Sequence, residues 1–183
     1  LSVLGGYTAG CAERTLDPAN TILDGNHTNT VLALWGQGEV TELLVEGLTL
    51  RNGIGTGLRV GTNGKVTVAN NTISGNTSSF SGGGLYFEAA EVTLTDNTIS
   101  GNTSPSFGGG LYLRATTATL TNNTIAGNTA TGEEYVYHGA QYGGGLYLDA
   151  TTATLTNNNI TGNTAVSSYK YSSGSYGGGL YLS

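Results

Sequence analysis

The apolar residues of this chain recur in short alternating runs, not along helical faces. Leu111-Tyr112-Leu113, Thr119-Leu120-Thr121 and Thr124-Ile125-Ala126 each set one kind of side chain against another on alternate positions. Period-two alternation over a few residues predicts half-buried strands, and no stretch shows the 3.6-residue period of an amphipathic helix. The runs return along the chain. Leu43, Val66, Val92, Ala118 and Ala153 hold equivalent places, at offsets of 23, 26, 26 and 35 residues. Gly-Gly-Gly-Leu-Tyr begins at Gly82, Gly108, Gly143 and Gly177, and Asn-x-Ile-x-Gly-Asn ends at Asn76, Asn102, Asn128 and Asn163.

A fixed period of this length predicts stacked units, none of which can bury its apolar face alone. The expected inward files are Leu85, Leu111, Leu146 and Leu180; Phe87, Leu113, Leu148 and Leu182; Leu94, Leu120 and Leu155 on a second wall; and Ile73, Ile99, Ile125 and Ile160 on a third. Residues 129–142 and 164–176 are longer connections than 77–81 or 103–107. Insertions at one constant place in a repeat map to loops on one face. The expected fold class is all-β: a parallel β-helix, a solenoid of about seven coils with three short strands per coil. It forms one domain over 1–183, irregular over 1–42 and regular over 43–183. Asn71, Asn97, Asn123 and Asn158 recur at one corner, and Asn76, Asn102, Asn128 and Asn163 at another. Asn tolerates left-handed backbone at turns, and its amide can bond the copy one coil away.

The run Val92-Thr93-Leu94-Thr95-Asp96-Asn97-Thr98-Ile99-Ser100-Gly101-Asn102-Thr103, with Gly108-Gly109-Gly110-Leu111-Tyr112, resembles right-handed parallel β-helix repeat proteins of the bacterial cell surface. It is similar to the Gly-Gly-[Ala/Gly]-Ile and Phe-x-x-Asn repeats of chlamydial polymorphic outer-membrane proteins. The opening Gly5-Gly6-Tyr7, Cys11, Asp17-Pro18 and Thr21-Ile22-Leu23-Asp24-Gly25 looks like the start of such domains in secreted bacterial proteins. The resemblance implies a right-handed coil and an extracellular or cell-surface location. It does not choose a function, because that fold carries lyases, adhesins, ice binders and fibres.

Composition narrows the choice. Charged residues are only 10% of the chain, against roughly 25% in ordinary globular domains. The net charge of −6 opposes nucleic-acid binding, which needs a basic face. No apolar run approaches the length of a membrane helix. The chain contains no Met and has no visible signal peptide, so it reads as a processed product or an excised piece, with secretion as the route. A single cysteine, Cys11, forbids an intrachain disulfide and reads as a small buried apolar side chain.

No catalytic, cofactor or metal constellation emerges. Glu39, Glu42, Glu46, Glu88, Glu91, Asp96, Glu133, Glu134 and Asp149 are scattered, and Arg114 falls between Glu88 and Asp149 in the stack. His27 and His138 lie far apart, and the calcium repeat Gly-Gly-x-Gly-x-Asp is missing. An enzyme is not expected. Among the Asn-x-Ser/Thr sites, Asn26 is the expected glycan acceptor.

Two outward faces could bind. Thr93 and Thr95, Thr119 and Thr121, and Thr154 and Thr156, headed by Thr67, predict a flat grid of the kind seen in ice-binding β-helices. Tyr86, Tyr112, Tyr147 and Tyr181 alternate with buried leucines and predict an aromatic ladder. Tyr135, Tyr137, Tyr142, Tyr169, Tyr171 and Tyr176 crowd the long loops. The ladder is either an exposed interaction surface, fit for glycans, or covered by those loops.

The ends supply the leading expectation. Leu180, Tyr181 and Leu182 form a strand without the Val-Thr-Leu strand that follows it elsewhere, and Leu1, Ser2, Val3 and Leu4 have that missing strand's character. Bare β-edges template other chains. The expected function is an extracellular structural subunit of a head-to-tail filament, each N-terminal strand completing a neighbour's last coil. Its partner is itself. The alternatives are an adhesin or carbohydrate-binding passenger using the tyrosine face, and an ice binder using the threonine face.

Overall fold

A computed structural model describes residues 1–7, 13–36, 42–132, 141–167 and 174–183. Cys11, Glu39, Glu133, Glu134, His138, Tyr135, Tyr137, Tyr169 and Tyr171 lie outside the described residues. The described regular structure is strand apart from one 3-10 turn at Pro18–Asn20. Every pairing between named strands is parallel. The chain winds as a parallel β-helix in which each coil hydrogen-bonds only to its neighbours.

The walls differ in one respect from the sequence expectation. The first two short runs of a coil are one continuous strand: Leu85–Thr95, Leu111–Thr121 and Leu146–Thr156. The linking residues, such as Arg114-Ala115-Thr116-Thr117, contain no Gly, Pro or Asn to interrupt the ladder, so pairing runs through a bend. One coil earlier, Asn63-Gly64 supplies a turn, and the strand splits into Leu58–Thr62 and Lys65–Ala69. The third wall stacks six strands, from Ile22–Asp24 to Asn159–Thr161. Two smaller sheets, Thr103–Ser104 with Thr129–Ala130 and Thr164–Ala165, and Gln141–Tyr142 with Ser175–Tyr176, were not foreseen. They are two-residue strands, too short to show a period.

The core consists of residue files running along the solenoid axis. Val3, Val45, Val68, Leu94, Leu120 and Leu155 occupy one register position. Leu34, Val60, Phe87, Leu113, Leu148 and Leu182 occupy another. Interior members such as Phe87, Leu94 and Leu120 are completely buried, whereas Leu182, on the last rung, is 58% exposed.

Two asparagine ladders fasten the corners. Asn71, Asn97, Asn123 and Asn158 are joined side chain to side chain at 3.0–3.1 Å. Asn76, Asn102, Asn128 and Asn163 are joined likewise at 3.0 Å. The ladder asparagines are not the left-handed residues. That conformation falls on the residue just before each: Asn70, Asp96, Asn122 and Asn157 at one corner, and Gly75, Gly101, Gly127 and Gly162 at the other. A left-handed residue turns the corner, which frees the following carboxamide to point inward and bond along the stack.

The glycine triplet has two separate causes. Gly108 adopts φ +60°, which favours glycine. Gly110 has ordinary φ, but a Cβ there would sit 2.7 Å from the Gly145 carbonyl oxygen and 2.8 Å from the Asn128 carboxamide. Coil-to-coil approach, not backbone torsion, excludes a side chain at Gly110.

Candidate functional site

The aromatic ladder forms as the register requires. Tyr86, Tyr112, Tyr147 and Tyr181 share one file. Their rings stack at centroid distances of 4.9, 5.2 and 5.6 Å, nearly parallel. Arg59 and Ala33 precede Tyr86 in the same file, and the Arg59 guanidinium is held between the Tyr86 ring at 5.0 Å and the Trp35 ring at 4.8 Å. Both faces of Tyr112 and Tyr147 are therefore occupied by neighbours. The ladder offers solvent its ring edges and hydroxyls, whereas sugar stacking needs an open ring face.

Phe107 of a short connection and the described ends of the long loops lie against one half of this ladder. Phe107 packs on Tyr147 at 5.1 Å, and Tyr142 on Tyr181 at 4.4 Å; Tyr142 and Tyr176 stack at 5.3 Å. Burial and a hydrogen bond to the Glu88 carboxylate push the Tyr86 phenol up to about 12. Burial beside Tyr147 raises Tyr112 as well.

Thr93, Thr119 and Thr154 align in one file with Thr67, and Thr95, Thr121 and Thr156 in the next. They alternate with buried Leu94 and Leu120, so they stand on the outer surface. The adjoining outward file runs Glu42, Lys65 and Glu91, and Lys65 forms an ion pair with Glu91 at 3.1 Å. The grid is thus bordered by charge in its earlier coils.

A third constellation was passed over by sequence reasoning. Trp35, Gly61, Glu88, Arg114 and Asp149 fall in one file across five coils. They line an open groove of about 1160 Å³ along the outside of the bend. Arg114 and Asp149 form an ion pair at 3.5 Å. The signal was present: Leu32-Ala33-Leu34-Trp35-Gly36 repeats the pattern of Leu58-Arg59-Val60-Gly61-Thr62 and places the sole tryptophan opposite a glycine. Glu88 and Asp149 do flank Arg114, as the sequence indicates. Among the described residues no group of three or more His, Cys, Asp and Glu is arranged to hold a metal ion, and no helix is long and apolar enough to cross a membrane.

At the N-terminal end, Ser2–Leu4 is already paired within its own chain. Ser2, Val3 and Leu4 lie beside Leu44, Val45 and Glu46, and the Leu1 amino group donates to the Glu42 carbonyl at 2.9 Å. One edge of this strand is used, and the other is the outer edge of the sheet among the described residues. Arg14 ties the following segment to that rung through a 2.6 Å ion pair with Glu46. At the far end, Leu180–Leu182 covers Leu146, Tyr147 and Leu148, and among the described residues no strand covers Ala153–Thr156.

No curated protein and no solved structure matches the chain. Over residues 19–182 the sequence fits the family described as right-handed β-helix region, and with its parallel stacked walls the chain belongs to that family.

Proposed function

We propose that this β-helix is a non-catalytic structural protein of the extracellular or cell-surface space, assembling end to end by coil-on-coil stacking with further copies of itself. The observation that carries this reading is the match between the two ends. Four inward files begin and finish on aliphatic residues of similar size: Val3 and Leu155, Leu23 and Ile160, Leu32 and Leu180, Leu34 and Leu182. A second copy placed one rung beyond the last would continue every file. Of the large apolar side chains exposed among the described residues, all but Ile54 and Phe80 belong to the first or last turn. Exposed apolar surface gathered at two complementary ends favours a heterologous contact, which does not close and grows linearly.

The stacking uses the free edge of Ser2–Leu4 while its other edge stays on Glu42–Glu46. No strand has to leave its own chain. Sedimentation velocity over a range of concentrations tests the reading. Mass should grow with concentration, and Leu182→Asp should return the chain to a single small species.

A second reading draws on the threonine grid, whose paired files repeat in register over Thr93–Thr95, Thr119–Thr121 and Thr154–Thr156. An ordered hydroxyl array of this kind suits an ice surface. Thermal hysteresis that Thr121→Tyr abolishes would favour it over assembly.

A further inference from the structure

The groove beside the charged file is built differently from the rest of the surface, and we infer that it binds a neutral, polyhydroxylated chain, an oligosaccharide lying along the solenoid axis. Its length suits an extended ligand: five register positions at ~4.8 Å per coil span ~19 Å. Gly61, Ala89 and Ala115 take part in the lining, so small side chains let a ligand approach the backbone closely. Trp35 stands at one end, 56% exposed. A Cβ on Gly61 would collide with the Trp35 ring, so that glycine lets the indole pack closely on the next coil. Arg59, on the same coil as Gly61, packs under the same ring at 4.8 Å from its centroid. A held, half-exposed indole is the stacking platform that the tyrosine ladder lacks, since ladder rings cover one another.

The polar groups decide the ligand's charge. Glu88, Arg114 and Asp149 alternate in sign along the file, and the two carboxylates outnumber the guanidinium. The whole chain carries −6. A polyanion would meet repulsion on both sides of Arg114. Hydroxyl groups would not, because carboxylates accept their protons and the guanidinium donates to their oxygens. Thr62, Asn63 and Thr116 add groups of both kinds along the lining.

The single tryptophan makes the test direct, because all indole fluorescence comes from the groove. The 183-residue chain would be titrated with neutral hexasaccharides (cellohexaose, xylohexaose, maltohexaose and chitohexaose) and with oligogalacturonate of equal length. A saturable change in Trp35 emission with a neutral sugar is expected, together with calorimetric binding that Trp35→Ala or Arg114→Ala weakens by about tenfold. Thr98→Ala, on the opposite wall, should bind as the parent does. Circular dichroism melting would confirm that each variant is folded. No saturable response to any neutral sugar would overturn the proposal. So would equal or tighter binding of oligogalacturonate, and so would neutral-sugar binding untouched by both groove variants.

Discussion

The Asn102 side chain donates to the Asn128 carboxamide oxygen at 3.0 Å, bridging one coil to the next. Its second amide hydrogen goes to the Ile73 carbonyl at 3.0 Å, one coil back. Its own oxygen accepts from both the backbone and the side-chain nitrogen of Asn76 at 3.0 Å. Every donor and acceptor of that carboxamide is thus used, at a site with no solvent exposure. Asn102→Ala should strand Asn76, Ile73 and Asn128 groups in the interior and cost about 3 kcal/mol. The denaturant midpoint should fall at unchanged m-value. Asn102→Asp keeps the shape but loses both donated bonds and buries a carboxylate, and it should destabilise at least as much.

The two kinds of glycine separate by substitution. Gly110→Ala drives a methyl group into the neighbouring coil, where backbone and the Asn128 carboxamide stand in the way. A loss of about 3 kcal/mol is expected. Gly101 has φ +61° but nothing within 4 Å of its virtual Cβ. Asn adopts that conformation readily, so Gly101→Asn should cost under about 1 kcal/mol. Paired thermal melts of the two variants check this.

Alkaline titration reports on the ladder. The folded Tyr86 phenol is raised to about 12 from the ordinary 10.0, mainly by burial and then by Glu88. The folded state therefore holds this proton more tightly than the unfolded chain. Its contribution to stability is whole below about pH 10 and is lost as pH rises toward about 12. Phenolate absorbance should develop late for one class of tyrosine, and Tyr86→Phe should flatten the fall in stability across that window.

Much of this architecture can be read directly from the chain. The offsets of 23, 26, 26 and 35 residues match the strand register, as in Leu43 beside Val66 and Ala118 beside Ala153. Strict repetition makes this possible, since each coil faces the same packing problem and answers it with the same residue types. The Arg59 sandwich and the Trp35 groove were hidden because the first coils are imperfect copies. Alignment on Gly-Gly-Gly-Leu-Tyr begins only at Gly82, and the split at Asn63-Gly64 disguises the match of Leu32–Gly36 to Leu58–Thr62. The continuous Leu111–Thr121 strand was hidden for another reason. Its bend at Ala115 and Thr116 uses ordinary extended residues that leave no turn signature.

Position along the solenoid should govern the cost of truncating a core side chain. Leu120 is fully buried between coils, and Leu120→Ala should cost about 2–5 kcal/mol at any protein concentration. Leu182 is 58% exposed on the last rung. Leu182→Ala should change the melting temperature little in dilute solution and lower it where copies stack, because only then is that side chain buried. Calorimetry at two concentrations distinguishes the cases.

Electron microscopy of the concentrated 183-residue chain tests coil-on-coil assembly most directly. Unbranched rods one solenoid wide, lost on Leu182→Asp, are the predicted result. A field of separate particles, each the size of one chain at every concentration, would contradict it.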